Sequence, residues 1–190
     1  MLLHDSGKPE VYSGDDGGVH FYRHELGSEA IAVRYGRSLA LSNDEIKHLQ
    51  LLTRHHMRVH LLASGEGAPS NRSIHRFFRA VEAAGVELCL MSLADTLAVF
   101  GPELPMDRWQ RELQVCRVLV GSWLEQQEHV IAPSPLLNGH EIMSMFSMEP
   151  GPRVGALLRD LVEAQAAGEV ADRAQAEAYC RRWLVDNLKV

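Results

Sequence analysis

The sequence lacks any run of about 18 apolar residues, so no membrane-spanning segment and no membrane partner is expected. A basic stretch followed by an apolar one is missing from its start, which leaves no visible secretory leader. Cysteine is scarce. Cys89, Cys116 and Cys180 are far apart, odd in number and never spaced as CxxC, which argues against both a zinc knuckle and a disulfide framework. Each falls in an apolar helical pattern, so all three read as buried thiols in a reducing compartment, with the cytoplasm as the expected location. Positive charge is not in excess either. A net charge of −6 excludes binding of nucleic acid by bulk electrostatics and leaves only local patches. Arg72, Arg76 and Arg79 recur at helical spacing, and Arg181 and Arg182 form a second cluster; both read as solvated helix faces. Internal repeats and low-complexity tracts are absent.

What is present is enough for a core: 190 residues, 46% of them apolar, which suits one domain or one domain with a small second one. Nearly all of it reads as helix. The stretch SGDDGG, residues 13–18, is expected to be a loop. Helical pattern resumes in HELGSEAIAVRYGRSL. The segment LSNDEIKHLQLLTRHHMRV starts with Ser42 and has Glu45 three residues on, a capping-box signature. Along it Ile46, Leu49, Thr53 and His56 share one face, with His55 turned by about 100°. ASGEGAPSN is a loop, and SIHRFFRAVEAAG an amphipathic helix that Gly85 should stop. VELCLMSLADTLAVFGP is apolar on nearly every side and is expected to be a central buried helix. A long amphipathic helix follows from Met106 to Glu128, and Pro133 and Pro135 then break the chain. Pro152 suits the first turn of a later helix and Gly168 its stop, while Asp172 with Gln175 could cap a last one.

Histidine is the residue in excess. Seven of the ten fall within the first 60 positions, and imidazole is the commonest transition-metal ligand. Asp95 is the most informative single residue, because LCLMSLADTLAVF offers it almost no polar neighbour. A buried carboxylate needs a partner, so Asp95 is either a hydrogen-bonded core residue or a metal ligand. His4-Asp5, His24 and His55-His56 are each weak signals alone. Together with Asp95 they supply mixed nitrogen and oxygen donors, which suit iron, manganese, nickel, zinc or magnesium rather than a soft thiolate site. Such a site would generate hydroxide or polarise a phosphoryl oxygen.

The ordered set HDSGKP, FYRHELGSEA, LSNDEIKHLQLLTRHHM and LADTLA resembles the HD superfamily of metal-dependent phosphohydrolases. In particular it is similar to the HD region of bacterial tRNA nucleotidyltransferases and poly(A) polymerases, the CCA-adding enzyme family, with patterns close to HDIGKP, FxGHE, SNxE…RxHM and LADxxA. PLLNGHEIM and EPGPRVGALLRDLVEAQAAGEV resemble that family's C-terminal region, so the likeness covers almost the whole chain. It implies an all-α fold: an HD-domain-like helical bundle over residues 1–132, truncated at its N-terminal end, and a smaller helical appendage over 133–190. It implies a divalent metal ion (Mg, Mn, Ni, Fe or Zn) held by His4, Asp5 and Asp95. His24 would serve a second metal or a phosphate, His56 matches the histidine of RxHM, and Lys8 would meet a phosphate or orient the dyad. His20 and His60 have no counterpart and are expected on exposed loops.

Three departures matter. Ser6 replaces an apolar residue, Arg23 stands where glycine is usual, and the family's first metal-binding histidine comes from a helix upstream of the dyad. The resemblance therefore implies the C-terminal part of a longer protein whose catalytic head would add nucleotides; no such addition is expected from this sequence alone. Three readings follow: the HD region of a tRNA nucleotidyltransferase or poly(A) polymerase, a stand-alone metal phosphohydrolase acting on nucleotides or cyclic phosphates, or a non-catalytic RNA-docking module. Weak or no activity is expected of the chain as it stands. The expected partners are a phosphate-containing small molecule or an RNA end, tRNA through the parent protein, and a second copy of the chain in a homodimer.

Overall fold

The computed structural model describes residues 2–15 and 18–187. Nine α-helices and one two-stranded antiparallel ribbon are found among them. By spatial proximity the chain forms two compact units, Met1–Ala68 with Val81–Val120, and Pro69–Ala80 with Gly121–Val190. This grouping falls at different residues from the expected division at 132 and 133, because residues 69–80 and 121–132 go with the C-terminal part.

The first unit begins with a turn that leads into a 3₁₀ segment, Lys8–Glu10. Within the expected 13–18 loop the chain forms strand β1 (Ser13–Asp15), which pairs with β2 (Gly18–His20); Gly14 lies opposite Val19. Helix α1 (His24–Ser38) packs on α2 (Asn43–His55). Gly36 permits the approach: a Cβ there would lie 3.1 Å from Ile46 Cγ1. Arg54 of α2 also reaches Glu29 of α1 at 3.0 Å. The capping box at the start of α2 is present, with Ser42 Oγ accepting from the Glu45 amide and Glu45 accepting from the Ser42 amide.

One continuous helix was expected past residue 55; instead the chain breaks at His56 and resumes as α3 (Met57–Ala63). The cause is local. His56 Nδ1–H donates to the carbonyl of Thr53, the group a continuous helix would give to residue 57. Helix α5 (Ala84–Phe100) packs against α2 and α3. It is not buried all round as expected: Leu88, Cys89, Ser92 and Thr96 form its buried face, while Leu90, Leu97 and Val99 are exposed. By length and composition alone, Ala84–Glu103 is apolar enough to cross a membrane, a test that a core helix of a soluble protein also passes. Gly85 does not stop the preceding helix but lies buried inside α5; that earlier helix, α4 (Asn71–Val81), ends where Glu82 takes a positive φ of 49°. Helix α6 runs Met106–Glu125, and in the first unit it buries Glu112, Val115, Cys116 and Leu119 at helical spacing.

In the second unit, residues 71–80 of α4 bury Ile74, Phe77 and Phe78, and Phe78 stacks on Trp123 with ring centres 5.0 Å apart. A π-helical turn, Gln127–Ile131, replaces the last part of the long helix expected to reach Glu128. Helices α7 (Gly139–Phe146), α8 (Pro152–Ala166) and α9 (Arg173–Asp186) then close a core of Leu137, Ile142, Leu157, Leu161, Ala176 and Cys180. Burying each leucine contributes roughly 2 kcal/mol. Asp172 caps α9 by accepting from the Gln175 amide at 2.8 Å, and Pro152 opens α8, as their positions in the sequence suggest. The three cysteines are buried and unbridged.

The arginine stripe is an exposed helix face, and its charges are paired. Arg76, Arg79 and Arg72 all reach the side chain of Glu163 on α8, which is 10% exposed, and Arg72 also pairs with Glu169 at 2.7 Å. The hydrogen bond and charge of Arg76 hold the Glu163 carboxyl below the ordinary range; burial opposes them, and Arg79 and Arg72 add to them.

Candidate metal centre

All six sequence-predicted site residues, His4, Asp5, Lys8, His24, His56 and Asp95, come together in the first unit. The turn before the 3₁₀ segment carries His4 and Asp5, and Gly7 seats it on α1. The Gly7 amide donates to Ser28 Oγ at 2.8 Å, and a Cβ on Gly7 would lie 2.4 Å from the His24 carbonyl oxygen. Only glycine allows this approach. His24 opens α1 immediately after Arg23, which adopts the left-handed conformation at φ 62°. That conformation is strained for a side chain with a Cβ, and it turns the chain so that the His24 ring faces Asp5.

Asp5 stands at the centre. Its Oδ1 lies 3.1 Å from His24 Nε2 and 3.5 Å from His56 Nε2, and those two nitrogens are 3.0 Å apart. Its Oδ2 meets the Lys8 ammonium at 2.5 Å and His4 Nε2 at 3.4 Å. His4 Nε2 is also 3.4 Å from Asp95 Oδ1. Two groups able to hold a metal follow, Asp5 with His24 and His56, and His4 with Asp5 and Asp95; they share Asp5. Burial pushes the Asp5 carboxyl up, but hydrogen bonds from His4, His56 and Lys8 and the charge of His4 outweigh it and hold the group far below the usual range.

The tautomers of His24 and His56 are fixed by their other nitrogens. His24 Nδ1 donates to the Phe21 carbonyl and His56 Nδ1 to the Thr53 carbonyl, each at 2.8 Å. A carbonyl only accepts, so each Nδ1 carries its hydrogen and Nε2 is the atom each ring turns inward, a lone pair for a cation when the ring is neutral. Two such lone pairs and a carboxylate oxygen then converge in a nearly dry place, since His24 and His56 are 5% and 2% exposed. With both rings neutral the three would repel unless a cation, a proton or a metal ion, sat among them. The donor set therefore fits a cation, and the separations of 3.0, 3.1 and 3.5 Å are close to those of neighbouring ligands at bond lengths of about 2.1 Å.

Asp95 is less buried than its surroundings in the sequence imply, at 30% exposure, and it has a second neighbour that the sequence did not assign. His60 lies on α3 rather than an exposed loop. Its Nε2 is 3.5 Å from Asp95 Oδ2, and its Nδ1 is 2.7 Å from Oε1 of Glu112. Glu112 is 1% exposed and also accepts from Ser92 and from Thr96, the latter at 2.5 Å. Burial raises the Glu112 carboxyl, while His60, Ser92 and Thr96 together bring it below its ordinary value. The signal for Glu112 was in the sequence: it shares the apolar stripe of Val115, Cys116 and Leu119, where a carboxylate needs donors. His20 also leaves its expected loop: it lies on β2, half-buried and stacked 5.1 Å from Tyr22.

No family model matches the chain. Among curated proteins, an A-adding tRNA nucleotidyltransferase of Deinococcus radiodurans is 36% identical over 185 residues, 96% of this chain and 40% of its own length. The chain is homologous to a region of the tRNA nucleotidyltransferase family. A CC-adding tRNA nucleotidyltransferase of Thermus thermophilus is 30% identical over 96% of the chain and 38% of its own length. A CC-adding enzyme of Geobacter sulfurreducens is 33% identical over 59% of the chain and 23% of its own length. The chain thus spans about two-fifths of the length of the first two relatives.

Proposed function

We propose that this region is an HD-type metal centre of a tRNA nucleotidyltransferase-like protein, and that it hydrolyses phosphoesters at an RNA 3′ end or on a nucleotide. The observation that carries the reading is the convergence of His24 Nε2, His56 Nε2 and Asp5 Oδ1 with both Nδ1 hydrogens already committed to carbonyls. A divalent cation held by Asp5, His24 and His56, with His4 and Asp95 beside them, would supply charge to a phosphoryl oxygen and acidify a water. Lys8 holds Asp5 Oδ2 and so leaves Oδ1 facing the two imidazoles. Glu112 orients His60, which in turn faces Asp95. That the relatives are tRNA nucleotidyltransferases supports RNA as the partner.

The test is elemental mass spectrometry after dialysis against mixed divalent metals, for the wild type and for His56→Ala and Asp95→Asn. Roughly one ion per chain is expected, with a large loss in both variants, followed by hydrolysis of 2′,3′-cyclic CMP. No bound metal on a chain with a folded helical spectrum overturns the reading in favour of a docking module.

A further inference from the structure

Beside the metal-ligand cluster, on the far side of His60, lies a cavity of about 170 Å³ walled by His60, Ala63, Ser64, Arg108, Arg111 and Glu112. It lies next to a larger groove of about 460 Å³ that shares Ala63 and Arg111 with it and adds Asp107, Gln110, Gln114 and the backbone at Gly65 and Gly67. We infer that these two spaces form a nucleotide subsite, with the phosphate between Arg108 and Arg111 and the nucleoside in the glutamine-lined groove. The assignment rests on the proposed phosphoester chemistry and names its substrate class, a terminal nucleoside phosphate.

Size, charge and position support it. The smaller cavity lies below the usual range for a whole organic ligand, while the larger one lies within it. Two guanidiniums suit a phosphate, which they bind through paired N–H donors. Arg108 is held in place over the Phe100 ring at 4.9 Å. Glu112 is the one carboxylate in the smaller wall, and its oxygens are already engaged by His60, Ser92 and Thr96. Arg111 pairs with Asp107 at 3.1 Å, but both side chains are largely exposed, and such a pair yields readily to a phosphate. Gln110 and Gln114 carry donors and acceptors of the kind that read a base edge. His60 joins the two functions in space: one ring nitrogen faces Asp95, and the same side chain walls the cavity.

The experiment is calorimetric titration in chelator, so that no metal takes part, with cytidine 3′-monophosphate, cytidine and inorganic phosphate as probes. Cytidine 3′-monophosphate should bind at least about tenfold tighter than cytidine, and Arg111→Gln should remove that advantage. Gln114→Ala should remove its advantage over inorganic phosphate. Circular dichroism checks that both variants fold, and Arg108→Gln repeats the test from the second cation. Unchanged affinity in Arg108→Gln and Arg111→Gln, or equal binding of cytidine and its monophosphate, overturns the subsite. Metal content should be the same in Arg111→Gln and the wild type. If the wild type binds the nucleotide through Arg111 but takes up no metal, the phosphohydrolase reading fails and the subsite stands. A trinucleotide with a 3′-phosphate binding more tightly than the mononucleotide identifies an RNA end as the source, and equal binding identifies a free nucleotide; both support the subsite.

Discussion

Each unit is organised around a carboxylate gripped by basic side chains, and the two clusters differ in kind. Glu163 is met by Arg72, Arg76 and Arg79, whose hydrogens are permanent, so its countercharge does not depend on any further species. Asp5 is met by Lys8 and by three histidines, and two of those rings have already given their Nδ1 hydrogens to backbone carbonyls. An arginine cluster of this kind carries its own countercharge and contributes to stability. A histidine cluster with its Nδ1 hydrogens committed turns Nε2 atoms inward that can take up a proton or a metal ion. The difference in donor chemistry, not in burial or in charge count, separates a structural site from a candidate functional one.

The sharpest way to break the comparison is to unseat the histidine cluster. Gly7→Ala should destabilise the first unit by about 3 kcal/mol and abolish metal uptake, because the new Cβ would strike the α1 backbone. Urea unfolding and metal analysis of the same sample check both effects. Next, His56→Ala should lower metal affinity by about 100-fold, whereas Glu163→Gln should leave it unchanged. Equal losses in the two variants would mean that the clusters do not differ in function.

Glu163→Gln should instead cost about 2 kcal/mol of stability at neutral pH. The sign follows from linkage. The folded carboxyl titrates below its ordinary value of 4.5, so its contribution is complete above that pH and fades as the pH falls through the lower folded value. Urea midpoints at pH 7 and pH 3 should converge for the wild type and the variant in acid; a constant gap would remove the ion pairs from the account. The smallest effect belongs to Arg23→Gly, which should stabilise by about 1 kcal/mol by relieving the left-handed strain at φ 62°, with metal affinity retained.

The sequence showed these features unequally. The capping box of Ser42 and Glu45 and the cap of Asp172 on Gln175 were legible because both partners lie three residues apart, where helix geometry alone brings them together. His4, Asp5, His24, His56 and Asp95 were legible as an ordered motif set, not as a geometry. His60 and Glu112 escaped that reading. They are 52 positions apart, and each is ordinary until the other is placed beside it. The carboxylate partner of the arginine stripe was missed for the same reason, since Glu163 lies more than 80 residues beyond Arg76 and Arg79.

By itself, then, the sequence determined the helical periodicity, the caps and the supply of nitrogen and oxygen donors, because those depend on residues within a turn or two of one another. Only the tertiary structure decided which donors face one another, which hydrogens are already spent on backbone carbonyls, and which carboxylate meets arginine rather than imidazole. Those outcomes depend on where α1, the break at His56 and α5 bring their side chains in space, and that is fixed by packing between segments distant in the chain.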